Sequence, residues 1–397
     1  MSRTNPHGEL LGFRPNRILR GDGAGGWQVE SGELQVLHKN EGEYIFPFGI
    51  AQMDNGEIIL VSSWRHDDRE SPVAAFSRDS GDTWTDFQPL GITVPKGIAA
   101  RPLGLVDLGG GCLTFQCAEP FFKRCFSDDY GRTWSETPSQ PAANGKGWAF
   151  EGEPLVERDA DGKATRLAEV GWQYGGGATG GTWVSMIRWS EDGGRTWINE
   201  SAPEEWLWQS EHGGKSFDRG VSEGSLVRAA NGDIVAALRT DIPARYYAPY
   251  GKMERPHEDG YYSDPLEGIA VSISKDDGET WSPMQFLWDA GRHHPYLILM
   301  PDGDIVMTLI VRQDIVDGQL ASYDRGCEAV LSKDNGRTWD LGGEYILDGF
   351  AHLDKENWLE VVTGHQYSTL LDDGRILTCY GAYLRKGATL IRWKPGE

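Results

Sequence analysis

The chain has 397 residues, with 38 Lys and Arg against 60 Asp and Glu, so its formal net charge is −22. That balance excludes a general nucleic-acid or anionic-membrane surface, since both need an excess of basic side chains. No apolar run reaches membrane-spanning length, and the five cysteines include no CxxC pair. The start, MSRTNPHGELLGF, lacks a signal-peptide core, so we expect a cytoplasmic protein, or a secreted or periplasmic one if a signal has been removed.

Six apolar runs, each interrupted by a turn signal, follow one another along the chain. Each combines two short apolar stretches with a Gly-containing turn, which predicts strand, tight turn, strand. The six runs are AQMDNGEIILV, LVDLGGGCLTF, ERDADGKATRLAEV, VRAANGDIVAAL, ILMPDGDIVMTLIV and TLLDDGRILTCY.

An eight-residue pattern, Ser-x-Asp-x-Gly-x-Thr-Trp, follows each of the first five runs. Asp and Ser bind nearby backbone amides, Gly permits a positive φ, and Trp anchors the turn. A calcium loop is disfavoured because the bidentate Glu after the Gly is missing. The five segments are Ser77–Trp84, Ser127–Trp134, Ser190–Trp197, Ser274–Trp281 and Ser332–Trp339.

These two interleaved repeats predict the fold. Each unit reads as four antiparallel strands, with the eight-residue segment between the third and the fourth. Six such units predict an all-β, six-bladed β-propeller formed by one domain over residues 1–397. The sixth unit has no such segment, so we expect the N-terminal stretch around LQVLHKN to supply its outer strand and close the ring.

The same phasing brings the start of each first strand and the end of each second strand to one mouth near the axis. Charged and aromatic residues are concentrated at these positions, as a site for a small anionic or sugar ligand requires. The candidates there include Trp64, Arg65, Arg101, Glu223, Arg239, Arg292, His293, His294, Arg312, His365 and Tyr367.

Through its five Asp-box segments the chain resembles the sialidase superfamily over roughly residues 40–395. Sialidases use a tyrosine nucleophile, because the substrate carboxylate would repel a carboxylate nucleophile. The resemblance implies that Tyr367, in GHQYSTLLDDG, is the nucleophile and that Glu223, in SEGSLVRAANG, activates it. It also implies that Asp67 or Asp68, in SSWRHDDRES, is the general acid.

The resemblance further implies an arginine clamp for the substrate carboxylate. Arg239 in AALRTD is its second member, and Arg312 in LIVRQD, or alternatively Arg292, is its third. Each of these residues also has a structural alternative. Tyr367 could pack in the core, Glu223 could bind backbone amides, and Asp67 and Asp68 could belong to a solvated loop. Arg239 could pair with Asp241, and Arg312 with Asp314.

The chain departs from the family at the first clamp position. The family motif Phe/Tyr-Arg-Ile-Pro reads Tyr44-Ile45-Phe46-Pro47 here, so Ile45 replaces the arginine. Losing a charge-assisted contact of this kind costs about 1.5–3 kcal/mol. Either Arg65 or Arg101 compensates, or the substrate is not an ordinary sialic acid.

Histidines at the mouth favour a second mechanism. A polysaccharide lyase removes the C5 proton of a uronic acid with a Tyr or His base while an Arg neutralises the carboxylate. Tyr367, His365, His294 and Arg239 provide that set, and the phasing places His66 at the same mouth. Zinc binding by His293, His294 and His365 is disfavoured because adjacent strand residues point to opposite faces.

The sequence thus predicts an exo-acting, retaining glycoside hydrolase that cleaves a terminal sialic, ulosonic or uronic acid from a glycan. The alternatives are the lyase and a non-catalytic propeller that binds glycan or protein. We expect a carbohydrate partner and no metal or cofactor. The tyrosine-rich insertion 241–268 is interpreted as a subsite wall or an oligomer contact.

Overall fold

The computed structural model describes residues 17–38, 40, 42–66, 69–117, 123–145, 152–174, 183–212, 214–241, 267–316, 319–322, 325–350 and 365–396. In these ranges the regular structure is β-strand apart from one 3-10 turn, Glu204–Trp206. None of the helical structure in them is long and apolar enough to cross a membrane. The chain is therefore all-β, as the sequence predicted.

Two strands open the described chain, and a four-stranded antiparallel sheet follows. The opening strands are β1 (Arg17–Gly21) and β2 (Trp27–Leu37). The first sheet contains β3 (Tyr44–Gln52), β4 (Ile58–His66), β5 (Arg69–Ser77) and β6 (Gln88–Pro89). Its order is β3-β4-β5-β6, so neighbours in sequence are neighbours in space.

Three more antiparallel sheets repeat this sequential order. The second contains β7 (Leu103–Gly109), β8 (Cys112–Cys117), β9 (Lys123–Ser127) and β10 (Ser135–Pro138). The third contains β11 (Leu155–Arg158), β12 (Ala164–Tyr174), β13 (Trp183–Ser190) and β14 (Ile198–Ser201). A hairpin of β15 (Trp208–His212) and β16 (Lys215–Arg219) precedes the fourth sheet. That sheet contains β17 (Val221–Arg228), β18 (Ile234–Thr240), β19 (Gly268–Ser274) and β20 (Gln285–Trp288).

The last strands belong to one nine-stranded sheet. They are β21 (Arg292–Leu299), β22 (Ile305–Val311), β25 (Arg325–Ser332), β26 (Tyr345–Phe350), β27 (Gln366–Leu370), β28 (Ile376–Gly381) and β29 (Ala388–Trp393). Between β22 and β25 lies a hairpin of β23 (Asp314–Val316) and β24 (Gln319–Ser322). The nine-stranded sheet has the order β21-β22-β25-β26-β1-β2-β29-β28-β27.

This joined sheet differs from the sequence prediction of six separate four-stranded units. Among the described residues, four sheets are four-stranded and separate, while the remaining two predicted units share one sheet. The physical reason is β1, which pairs with β2 on one side and, through Leu19 and Arg20, with β26 on the other. β2 in turn pairs with β29, so the N-terminal stretch lies between the last two units.

The sheets are arranged like the blades of a propeller. β3 contacts β7, β7 contacts β12, β12 contacts β17, β17 contacts β21, β21 contacts β27, and β27 contacts β3. Both faces of a sheet in such a ring are covered, so the inner strands are almost continuously apolar. β22, for example, reads IVMTLIV and is buried along its whole length.

The five repeated segments connect the third and fourth strands of successive units, and they share one set of hydrogen bonds. The Thr hydroxyl donates to the Asp carboxylate at 2.5–2.7 Å. The Ser hydroxyl accepts the Gly amide at 2.8–2.9 Å. The Gly adopts a φ of 77–89°, which explains why no other residue recurs there. Each segment is therefore a self-contained turn.

These turns make the fold sensitive to acid. Hydrogen bonds from Thr83 lower the pKa of Asp79 to about 2, and the pKa values of Asp129, Asp192, Asp276 and Asp334 are also lowered. A folded-state pKa below the unfolded value stabilises the protein above that unfolded value, and the contribution is lost as pH falls through the folded pKa. We expect the urea midpoint to fall as pH drops from about 4 towards 2. Asp79→Asn should flatten this dependence, and equal slopes for the two proteins would contradict the assignment.

Candidate active site

A cluster of charged residues lies at the mouth where the fourth sheet meets the nine-stranded sheet. Glu223 is near the start of β17, Arg239 is near the end of β18, Arg312 follows β22, and His365 precedes β27. The charges of Glu223, Arg312, His294 and Arg101 all act on His365. The structure therefore brings together these five residues, which the sequence analysis had selected.

Arg239 lies between two carboxylates at the centre of this cluster. Its Nη1 donates to both oxygens of Glu223 at 2.6 Å, and its Nε donates to Glu267. All three side chains are buried. Asp241, which sequence analysis considered as a partner of Arg239, accepts the Gly220 amide at 2.9 Å. Arg239 thus fixes Glu223 in position, but its positive charge is already balanced within the protein.

Two histidines lie beside Glu223. Nδ1 of His294 is 3.7 Å from Oε2 of Glu223, and the His294 and His365 rings are 4.4 Å apart between centroids. Burial, followed by the charges of His294 and Arg101, holds the pKa of His365 well below its usual value. His365 is therefore a neutral imidazole at neutral pH, with a lone pair that can accept a proton.

A small pocket of about 120 Å³ opens next to His365. Arg65 and Arg101 lie on its wall with the aromatic rings of Phe46, Phe48 and Tyr383. Arg65 binds Glu70 at 2.6 Å and donates to the Tyr383 hydroxyl at 3.1 Å. The pocket combines aromatic surfaces with guanidinium groups, which suits a sugar that carries a negative charge.

Ile45 and Trp64 lie next to this pocket on β3 and β4, where they are cross-strand partners. Ile45 is only 1% exposed and belongs to the hydrophobic core. The Trp64 indole donates to Glu43 at 2.6 Å and stacks on His66 with 3.8 Å between ring centroids. Both of these side chains are thus held by the protein's own packing.

Tyr367 lies deeper than His365 on the same face of β27. It is 2% exposed, and its ring is 6.5 Å from that of His365 and 6.0 Å from that of Tyr296. It also belongs to the main hydrophobic cluster. The tyrosine therefore lies in the core next to His365.

Of the remaining candidates, some are buried within the sheets and the others lie outside the described residues. Arg292 donates to the Gln313 carbonyl at 2.9 Å and lies 3.3 Å from Glu328, while His293 is fully buried. Asp67, Asp68 and residues 242–266 of the tyrosine-rich insertion lie outside the described residues. In the described ranges, no group of three or more His, Cys, Asp or Glu is arranged to hold a metal ion.

Below the mouth, a second cavity of about 980 Å³ runs along the inner strands β11, β17, β21 and β27. Glu153 lies on its wall and accepts a hydrogen bond from the Tyr296 hydroxyl. Burial raises the pKa of Glu153 to about 8; Arg158 opposes this shift and Asp107 adds to it. This acid is therefore protonated at neutral pH.

The raised pKa of Glu153 should make the protein less stable at alkaline pH. A carboxyl whose pKa is higher in the folded state binds more protons there, so stability falls as pH rises from the unfolded pKa to the folded one. We expect unfolding free energy to fall by on the order of 2–4 kcal/mol between pH 5 and pH 9. Glu153→Gln should remove most of this fall in urea titrations. A variant as pH-sensitive as the wild type would contradict the shift.

Several solved structures share this fold. A protein of unknown function from Dyadobacter fermentans aligns with a TM-score of 0.60 and 16% identity, over 91% of this chain and 98% of its own. A Hadza microbial sialidase aligns with a TM-score of 0.59 and 17% identity, over 93% of this chain and 70% of its own. The Penicillium chrysogenum α-L-arabinanase, solved with arabinobiose, aligns with a TM-score of 0.53 and 13% identity, over 88% of this chain and 96% of its own.

The chain has the fold of these proteins. At such low identities the likeness concerns the fold alone. No protein-family model matches the chain, and no curated protein is similar to it in sequence.

Sequence reasoning missed three acidic partners: Glu267, Glu70 and Glu328. Each binds or lies beside an arginine that had been selected as a substrate ligand. Glu70 was open to prediction, because the pairing of β4 with β5 that joins His66 to Arg69 places Glu70 opposite Arg65. Glu267 lies at the end of the tyrosine-rich insertion, and nothing in its local sequence indicates that it returns to Arg239.

Proposed function

We propose that this protein is an exo-acting glycoside hydrolase that removes a terminal acidic sugar from a glycan. The observation that carries the proposal is the charge at the mouth: Arg101 and Arg312 both act on His365, and Arg239 binds Glu223 there. Glu223 and Glu267 bind Arg239. Arg101 and Arg312 are the cations that we propose meet an anionic ligand.

The roles in this proposal follow the resemblance to sialidases. Tyr367 is the nucleophile, Glu223 activates it, and Asp67 or Asp68 is the acid that protonates the leaving oxygen. A neutral phenol approaches a carboxylate-bearing sugar without charge repulsion. The arginines Arg239 and Arg312 are proposed to hold that carboxylate, Arg239 while it also binds Glu223 and Glu267. Solved sialidases with the same fold support the reaction class.

Arg101 is proposed as the third cation for the substrate. Ile45 occupies the clamp position of the family motif, and its burial in the core removes it from ligand contact. Arg101 lies on the wall of the small pocket with His365, and its charge acts on that histidine. We therefore expect the substrate carboxylate to lie at this pocket. The substrate class is a sialic, other ulosonic or uronic acid.

The lyase is a second candidate because His365 and Arg101 line the same small pocket. In that reaction His365 takes the proton from C5 of a uronate, the C5–H electrons form the C4–C5 double bond, and the C4–O bond breaks with its electrons on the oxygen of the leaving sugar, which takes up a proton from water. Arg101 stabilises the negative charge that develops on the carboxylate.

We further infer that the fold is a six-bladed propeller with five Asp boxes. The closed ring of contacts from β3 to β27 supports six units, with two of them inside the nine-stranded sheet. The shared hydrogen bonds of the five repeated turns support the Asp-box interpretation.

A panel of acidic glycosides tests the function. Sialosides, other ulosonides and glucuronides are incubated with the protein in ¹⁸O-water, with α-L-arabinosides as neutral controls. The hydrolase incorporates ¹⁸O into the released sugar, while the lyase yields an unsaturated sugar with new ultraviolet absorbance. Cleavage of neutral glycosides alone would overturn the proposal. Binding of acidic glycans without cleavage would favour a non-catalytic propeller.

A further inference from the structure

His294 has an unusual backbone for its place in the fold. Its φ is +48°, in the left-handed region that residues with a side chain rarely adopt. Of the other six non-Gly residues with positive φ in the described ranges, Ser80, Tyr130, Asp277 and Asn335 occupy the turns of the repeated segments, Asn199 lies in β14 and Lys386 precedes β29. His294 lies inside strand β21 and directly precedes Pro295, where an extended conformation is preferred. The strand therefore holds a conformation that its own sequence disfavours.

Two features of the surrounding sheet hold this conformation. The pairing of β21 with β22 shifts register between His293 and Tyr296, so a β-bulge contains His294. In addition, the Gln366 side-chain amide donates to the His294 carbonyl at 2.9 Å. Gln366 lies between His365 and Tyr367 on β27, so the bulge is fastened to the strand that carries both of those residues.

The bulge directs the His294 imidazole into the mouth. The side chain is 8% exposed, with Nδ1 3.7 Å from Glu223 and its ring 4.4 Å from the His365 ring. It is therefore in contact with residues of two different sheets, Glu223 on β17 and His365 beside β27. Strained backbone retained at a cluster of this kind is characteristic of functional sites.

We propose that His294 is a positioning residue that fixes the Glu223 carboxylate relative to the His365 ring, and that the strained bulge is retained for this purpose. The inference rests on the proposed function, because the groups that it positions are the ones assigned to catalysis. A bulge that merely shapes the strand would need no imidazole at position 294.

Strain relief separates these two explanations. Glycine adopts a positive φ without steric cost, so His294→Gly relieves the backbone while it removes the ring. Ser80→Gly is the matched control, since Ser80 has a φ of 55° in the first repeated turn. His294→Asn is the conservative variant, because asparagine tolerates the left-handed region and keeps a polar side chain.

The experiment measures urea unfolding and the turnover of the acidic glycoside that the panel identifies. For His294→Gly we expect an unfolding midpoint at or above that of the wild type, together with a kcat about 100-fold lower. Added imidazole should restore part of that kcat. The kcat of His294→Asn should lie between those of the wild type and His294→Gly, and Ser80→Gly should keep the wild-type kcat.

Each outcome discriminates. A wild type that cleaves no acidic glycoside overturns the proposed function, and the catalytic side of this inference falls with it. A wild type that cleaves one, beside a His294→Gly protein of equal kcat, overturns the positioning role alone. A midpoint that falls in His294→Gly while kcat per folded molecule is unchanged shows that the ring serves only packing.

Discussion

Glu223→Gln is expected to lower turnover of an acidic glycoside by about 10²–10⁴-fold while the protein remains folded. Glutamine has the same shape but no charge, so it neither activates a nucleophile nor balances Arg239 at 2.6 Å. Arg239 keeps its contact with Glu267, which limits the cost in unfolding free energy to about 1–3 kcal/mol. The measurements are kcat, KM and urea unfolding of the purified variant.

Glu157→Gln is the matched control for this variant. Glu157 binds Arg228, at the opposite end of the β17 strand that carries Glu223, on the wall of the larger cavity. The same chemical change there should leave kcat at the wild-type value. If both variants lose activity equally, or if Glu223→Gln remains fully active, Glu223 has no special part in the reaction.

Tyr367→Phe is expected to reduce kcat by about 10³-fold or more, because the proposed nucleophile is the phenol oxygen itself. The ring lies between those of His365 and Tyr296, and phenylalanine preserves that packing. Unfolding free energy should therefore change by no more than about 1.5 kcal/mol. A hydrolase that forms a glycosyl-tyrosine should also yield a covalent adduct with a slow substrate, detectable by mass spectrometry in the wild type only.

Tyr345→Phe controls for loss of a buried hydroxyl. Tyr345 is 1% exposed on β26, where its ring is 5.4 Å from that of Trp393. The Tyr345→Phe variant should keep the wild-type kcat. Normal kcat in Tyr367→Phe would remove the tyrosine nucleophile and shift the mechanism towards His365 as a base.

The repeats made the positions of the mouth residues predictable. A Gly-centred turn between the first two strands of each unit places Glu223 and Arg239 at the same end of a hairpin, and the structure pairs them. The strands were predictable for the same reason, because the apolar runs alternate with turns whose recurring Ser, Asp and Thr hydrogen bonds are local.

Long-range contacts could not be predicted from the sequence. Glu267 lies at the end of the insertion 241–268, whose sequence carries no periodic signal, so its contact with Arg239 could not be predicted. The positive φ of His294 arises from the bulge and from Gln366, which lies 72 positions away. Local propensity favours an extended residue before Pro295, so tertiary contacts override it.

The placement of β1 and β2 has a consequence for how the molecule reaches its native state. Glu33 and Arg392, which are 359 positions apart, are salt-bridged across the pair β2 and β29. Contacts of such high sequence separation form late, since the intervening chain must first be brought together. During synthesis β2 therefore lacks its partner until β29 has left the ribosome, and the β2 edge stays open in the meantime. The final folding step should be slow, and it should be the stage at which misassembly between copies competes with the closing of the ring.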